Sequence, residues 1–174
     1  EVFGELSERP DVRVAVLRGA GAEAFSAGGD ISEFETVRAP GEPAATYNRA
    51  VLAAEQAVES CPFPVIALLR GACIGGGCGI ALAADIRIAD SEVRMGVTAA
   101  RMGLAYGRES VRRLVDAVGR ARASAMLFSA RICSAEEALR WGLVDEVHGG
   151  DAADIRAGAL ARRISELSPV SVRA

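Results

Sequence analysis

Lysine is absent from these 174 residues, and all twenty basic side chains are arginines. That excludes a Schiff-base lysine and a P-loop lysine, and with them lysine-dependent aldol, pyridoxal phosphate and nucleotide-hydrolysing chemistry. Histidine is nearly absent too. His148 stands alone, which excludes a multi-histidine metal site and argues against a serine–histidine triad. Four cysteines, Cys61, Cys73, Cys78 and Cys133, form no CxxC pair and read as reduced, buried thiols. Cys78 at a helix start has no histidine near it in sequence to make it a nucleophile. Aromatic side chains make up 5% of the chain and the net charge is −3, so neither stacking surfaces nor a basic field point to nucleic acid. No apolar run is long enough to span a membrane, and a cytoplasmic protein is expected.

What remains is rich in alanine and glycine, in an order of strand, glycine turn and helix that predicts an α/β domain. "CPFPVIALLRG" reads as a buried strand over Val65 to Leu69, because Pro62 and Pro64 forbid a helix before it. Further strands are expected at Val12 to Leu17, in "DIRIAD", in "SEVRMGV" and at Val144 to Val147. "APGEP", Ala39 to Pro43, breaks the chain. Thr46 to Ser60 then places Tyr47, Val51, Ala54 and Val58 on one helical face. Helices are also predicted at Cys78–Ala84, Glu109–Val118, Ala121–Phe128 and Asp151–Leu167. Another opens at a capping box, Ser134 with Glu137, and stops at Gly142.

Three glycine stretches invite a chemical reading. "VRVAVLRGAGAEA" has the outline of a dinucleotide fingerprint, but "AFSAGGD" interrupts before any long helix could hold a pyrophosphate. The other two, "FSAGGD" and "IGGGCG", each leave a strand and open a helix. Backbone N–H groups there lack intrahelical partners and lie at the positive end of the helix dipole. Converging on one point, they would form an oxyanion hole; packed apart, they are two tight turns. The residues alone leave both readings open.

The order "VRVAVLRGAG…AFSAGGDISEF…PFPVIALLRGACIGGGCGIALAADIRIAD…MGL…RRLVDAVGRARA…SAEEALRWGLVDEV" resembles the crotonase superfamily of enoyl-CoA hydratases and isomerases, from about Asp11 to Ala174. The resemblance implies a single domain over 1–174, a spiral of ββα units with a helical C-terminal part. It implies an acyl-CoA substrate whose thioester carbonyl meets the N–H groups of Gly29 and Gly76, with coenzyme A entering as part of the substrate and no separate cofactor. Ser26, Ala27, Asp30 and Ile31 would border the coenzyme A adenine, although Asp30 also fits an N-cap. A homotrimer or hexamer follows from the same source.

The pattern departs from the family at two places. Hydratases carry a glutamate where this chain has Gly79, and a second where it has Ala99. Hydration needs a carboxylate on each side of the double bond, so substitutes are sought. "GLAYGRESVRRL" offers Tyr106 and Glu109, which could equally be a packing residue and a helix N-terminal charge; Glu33 and Glu35 are further candidates. The expectation is a lyase or isomerase working by enolate stabilisation. A decarboxylase-type crotonase and a non-catalytic acyl-CoA-binding or structural protein are the alternatives. The resemblance also suggests that residues are missing at both ends.

Overall fold

The computed structural model describes residues 2–33 and 41–172; Glu35 and the start of the Ala39–Pro43 break lie outside them. Its elements run α1 (Val2–Ser7), β1 (Ala15–Arg18), β2 (Ala24–Ser26), a 3-10 turn (Ile31–Glu33), α2 (Glu42–Glu59), β3 (Val65–Leu69) and β4 (Ala72–Ile74). They continue with α3 (Gly76–Ala83), β5 (Ile86–Asp90), β6 (Arg94–Gly96), a 3-10 turn (Ala99–Met102), α4 (Arg108–Val118) and α5 (Arg120–Ser129). The rest is β7 (Ile132–Cys133), α6 (Ala135–Trp141), β8 (Glu146–His148), α7 (Ala152–Ser165) and α8 (Pro169–Val172).

The strands divide between two four-stranded sheets, ordered β1-β3-β5-β8 and β2-β4-β6-β7. From β1 to β6, consecutive strands go alternately to one sheet and the other, with α2 and α3 interposed between pairs. This is the ββα spiral expected from the sequence. Pairing is parallel except between β6 and β7.

β3 shows why a continuous apolar run was needed. It is buried along its whole length between β1 and β5. Val65, Ala67 and Leu69 face the main core, whereas Ile66 and Leu68 face the other way, into a cluster with Ile88 and with Ala153 and Ala157 of α7. Alternate residues of a strand point to opposite faces, so a strand covered on both sides must be apolar at every position. Each fully buried valine, leucine or isoleucine contributes about 1.5–3 kcal/mol. Alanines on α7 let that helix approach the sheet closely.

Most predicted elements appear within a few residues of their expected limits. The helix expected over Thr46–Ser60 starts earlier, at Glu42, with Pro43 in its first turn, where a missing N–H costs nothing. The Ser134–Glu137 capping box is complete, and Gly142 ends that helix in the left-handed conformation. One expectation needs correction. Ala54 shares the expected apolar face of α2 with Tyr47, Val51 and Val58, but it is exposed, and its neighbour Glu55 is buried at 1% exposure.

Candidate active site

α3 is the centre of the site, and each of its glycines answers to a different neighbour. Gly75, the residue before the helix, has φ +57° and ψ −113°, a backbone region closed to residues with a side chain. A Cβ on Gly77 would lie 2.5 Å from the Ser26 carbonyl oxygen, so β2 packs directly on the helix there. A Cβ on Gly76 would meet nothing within 4 Å. Packing therefore gives no reason for Gly76 to be bare.

The first glycine loop closes over the second. Gly28 adopts φ +99°, and a Cβ on it would sit 3.1 Å from the Ile74 carbonyl oxygen and 3.7 Å from the Gly76 nitrogen. The two loops thus meet, and both open onto one cavity of about 570 Å³, lined by Gly28, Gly29, Gly75 and Gly76 among others. Its remaining walls come chiefly from Tyr47, Val51 and Leu52 of α2, from Thr98, Ala99 and Met102, and from Leu104 to Ser110. Gly76 is the first residue of an eight-residue helix, so its N–H has no intrahelical partner.

The expected site residues are only partly gathered here. Gly29, Ala27, Tyr106 and Glu109 all line the cavity. Ser26 turns its hydroxyl to the Gly28 N–H, which donates to it at 3.3 Å, and its Cβ lies against Gly77. Asp30 caps the 3-10 turn: Oδ1 accepts from the Ser32 N–H at 2.9 Å and from its hydroxyl at 2.7 Å. Those two bonds hold its carboxyl below the ordinary aspartate value. Ile31 opens that turn, and Glu33 closes it, exposed.

Tyr106 is half-buried, and its hydroxyl donates to the Gly75 carbonyl at 3.1 Å. Burial pushes the phenol well above its ordinary value, so it remains a protonated donor. Glu109, at the start of α4, accepts from Arg112 Nε at 2.9 Å in an ion pair more than a third exposed. Cys78 is fully buried, and desolvation pushes its thiol up to about 12, which leaves no thiolate for nucleophilic attack. Ala99, on the cavity wall, carries no ionisable group.

Glu55 is the residue that sequence reasoning missed. Its carboxylate lies behind the cavity wall, against the Cα of Gly79: a Cβ there would be 2.1 Å from Glu55 Oε1 and 3.1 Å from the Tyr106 hydroxyl. Ser110, which does line the cavity, donates its hydroxyl to the Glu55 carboxylate, lying 2.8 Å from each oxygen. Arg113 Nη1 donates to Oε2 at 2.6 Å. Burial raises the carboxyl above its ordinary value, against the pull of Ser110 and Arg113. The one available signal was helical spacing: Glu55, Glu59, Arg112 and Arg113 lie on two helices that touch.

A two-sheet spiral enclosing a cavity walled by paired glycine loops defines the structural class. Comparison places it further. The family model described as enoyl-CoA hydratase/isomerase matches residues 1–174, and the chain belongs to that family. It is 41% identical over 159 residues to the probable enoyl-CoA hydratase echA17 of Mycobacterium avium, covering 91% of this chain and 61% of that protein. It is 37% identical to the (E)-benzylidenesuccinyl-CoA hydratase of Thauera aromatica, covering 100% of this chain and 67% of the relative. A solved enoyl-CoA hydratase/carnithine racemase from Magnetospirillum magneticum superposes with a TM-score of 0.95 at 36% identity, over 98% of this chain and 64% of that one. The chain spans about three fifths of the length of the first of these relatives.

Proposed function

We propose that the cavity binds an acyl-CoA thioester and stabilises its enolate, in a reaction of the enoyl-CoA hydratase or isomerase type. The observation that carries this reading is the meeting of the two glycine loops at the cavity wall, with Gly76 bare although nothing crowds it. In this reading the thioester oxygen accepts from the N–H groups of Gly29 and Gly76. As negative charge develops on that oxygen, donors already in place stabilise it without reorganising. The dipole of α3, whose first residue is Gly76, adds to the effect.

The rest of the cavity suits an acyl chain. Val51, Leu52, Met102 and Leu104 supply apolar walls, and the Tyr106 hydroxyl, bonded to the Gly75 carbonyl, stiffens the turn that presents the Gly76 N–H. Ala27 and the chain that follows it form the edge along which the nucleotide end of coenzyme A would run. The coenzyme enters with the acyl group and leaves with the product. The hydratase names carried by the relatives support the same direction.

Gly76→Pro tests the reading. Proline is accepted at the first position of a helix, so the substitution deletes one N–H and leaves α3 intact. Turnover of crotonyl-CoA, followed by loss of the enoyl absorbance, should fall by about 10²–10³-fold. Unchanged turnover in a folded Gly76→Pro protein would place the carbonyl elsewhere.

A further inference from the structure

We infer that Ser110 and Glu55 form a proton relay at the wall of the cavity, with Ser110 the group that meets the substrate and Glu55 the positioning carboxylate behind it. This inference rests on the acyl-thioester reading of the cavity. Three observations carry it. Glu55 is a buried carboxylate that accepts from the hydroxyl of Ser110, a residue of the cavity wall. Its two oxygens are not equivalent, because Arg113 Nη1 fixes Oε2 while Oε1 is turned towards the Cα of Gly79. The bare Cα of Gly79 is what gives Oε1 its place, since any side chain there would collide with it.

A carboxylate buried only for structure is costly, and an apolar pair of similar volume would often be as stable or more so. Here the charge is kept one hydrogen bond from the cavity. Arg113 is held in turn by Glu59, so the guanidinium cannot drift and Glu55 is locked in one orientation. Reacting groups held in fixed geometry need no reorganisation as the proton moves.

The step balances as follows. The Cα–H bond of the bound thioester breaks and its proton passes to Ser110 Oγ, while the Ser110 hydroxyl proton passes to Glu55 Oε1. The electron pair of the C–H bond forms the Cα–C1 double bond, and the carbonyl π pair moves onto the thioester oxygen, facing the Gly29 and Gly76 N–H groups. Reversal returns a proton to Cα. Ser110 regains its original state in each cycle, and no oxidant or further reactant is required.

Protonation of Glu55 stops the relay, so the rate falls on the acid side. The groups facing Glu55 are Arg113 and Ser110 on α4, Glu59 on its own helix, Cys78 on α3 and Tyr106 before α4. Desolvation outweighs the arginine, which sets the acid limb above the ordinary glutamate range.

The test is exchange of the Cα protons of butyryl-CoA for deuterium in heavy water, followed by NMR, with crotonyl-CoA affinity measured in parallel by calorimetry. Glu55→Gln and Ser110→Ala should each slow exchange by about 10²–10⁴-fold while affinity is kept. Glu55→Asp should retain part of the exchange and keep an acid limb, which a purely structural role would not produce. Ser110→Ala removes a single oxygen and leaves the Glu55–Arg113 pair in place, so it remains informative if Glu55→Gln fails to fold. Binding with undiminished exchange in Ser110→Ala overturns the relay alone, as does wild-type binding with no exchange. No binding of crotonyl-CoA overturns the cavity reading and the relay with it.

Discussion

Of the places where carboxylates pair with arginines, two differ sharply in burial. At the seam of α2 and α4, Glu55 and Arg113 have side-chain exposures of 1% and 4%. Beneath α7, Arg156 grips Glu146 with two bonds, Nε to Oε2 at 2.8 Å and Nη2 to Oε1 at 2.7 Å, and His148 Nε2 lies 2.7 Å from Oε2. Glu146 keeps 29% exposure. The Arg156 bonds, then His148, hold Glu146 below the ordinary glutamate value, whereas desolvation pushes Glu55 above it despite its own arginine. A partner alone therefore does not decide which way a carboxyl moves. Depth decides, and the deep pair is the one beside the cavity.

The largest way to break this comparison is to remove the buried cation. Arg113→Ala leaves Glu55 in the same apolar surroundings with only Ser110, and breaking a buried pair on one side costs about 3–5 kcal/mol. Urea unfolding should show a loss of that order; a loss near that of a surface pair would mean that the seam is wetter than its exposures indicate. Next in size is Gly79→Ala. Its new Cβ would stand 2.1 Å from Glu55 Oε1, an oxygen held by Ser110 and, through the same carboxylate, by Arg113. Overpacking of this kind costs about 1–3 kcal/mol. The double variant Gly79→Ala with Glu55→Ala should recover most of the Gly79→Ala penalty relative to Glu55→Ala alone. If the two effects simply add, the glycine is bare for some other reason.

The sequence made the fold legible wherever local physics set it. The run Val65–Leu69, the prolines before it and the capping box at Ser134 each state their structure within a few residues. The three short strands β2, β4 and β7 are not legible in the sequence, because two or three residues carry no period and their pairing is decided by distant chain. At the site, "IGGGCG" announced a close backbone approach but not which glycine met what. Gly75 answers to conformation, Gly77 to Ser26 and Gly79 to Glu55, whereas nothing crowds Gly76. Tyr106 and Glu109 line the cavity, but the buried carboxylate beside Gly79 comes from elsewhere in the chain. Glu55 lies more than twenty residues before Gly79, on a helix whose apolar spacing runs through its neighbour Ala54. A buried charge one position from that face cannot be told from a solvated one until its partners, Ser110 and Arg113, are brought in by the fold.

The smallest effect gives the sharpest contrast. Glu146→Gln should cost only about 0–1 kcal/mol near neutral pH, as for a partly exposed pair. Its pH dependence carries the information. The folded value of Glu146 is depressed, so its contribution is complete above the unfolded carboxyl value and is lost as pH falls through the depressed one. Glu55 has the opposite sign: its folded value is raised, so the favourable protonated state is populated below the unfolded value and its advantage is lost as pH rises through the raised one. Thermal melts over a range of pH should therefore show the wild type losing its margin over Glu146→Gln on acidification. Measured against Glu55→Gln, the wild type should instead lose ground as pH rises from the acid side. Margins that move in the same direction for both variants would remove the distinction between the two regions, because they would mean that Glu55 titrates as an ordinary paired surface carboxylate.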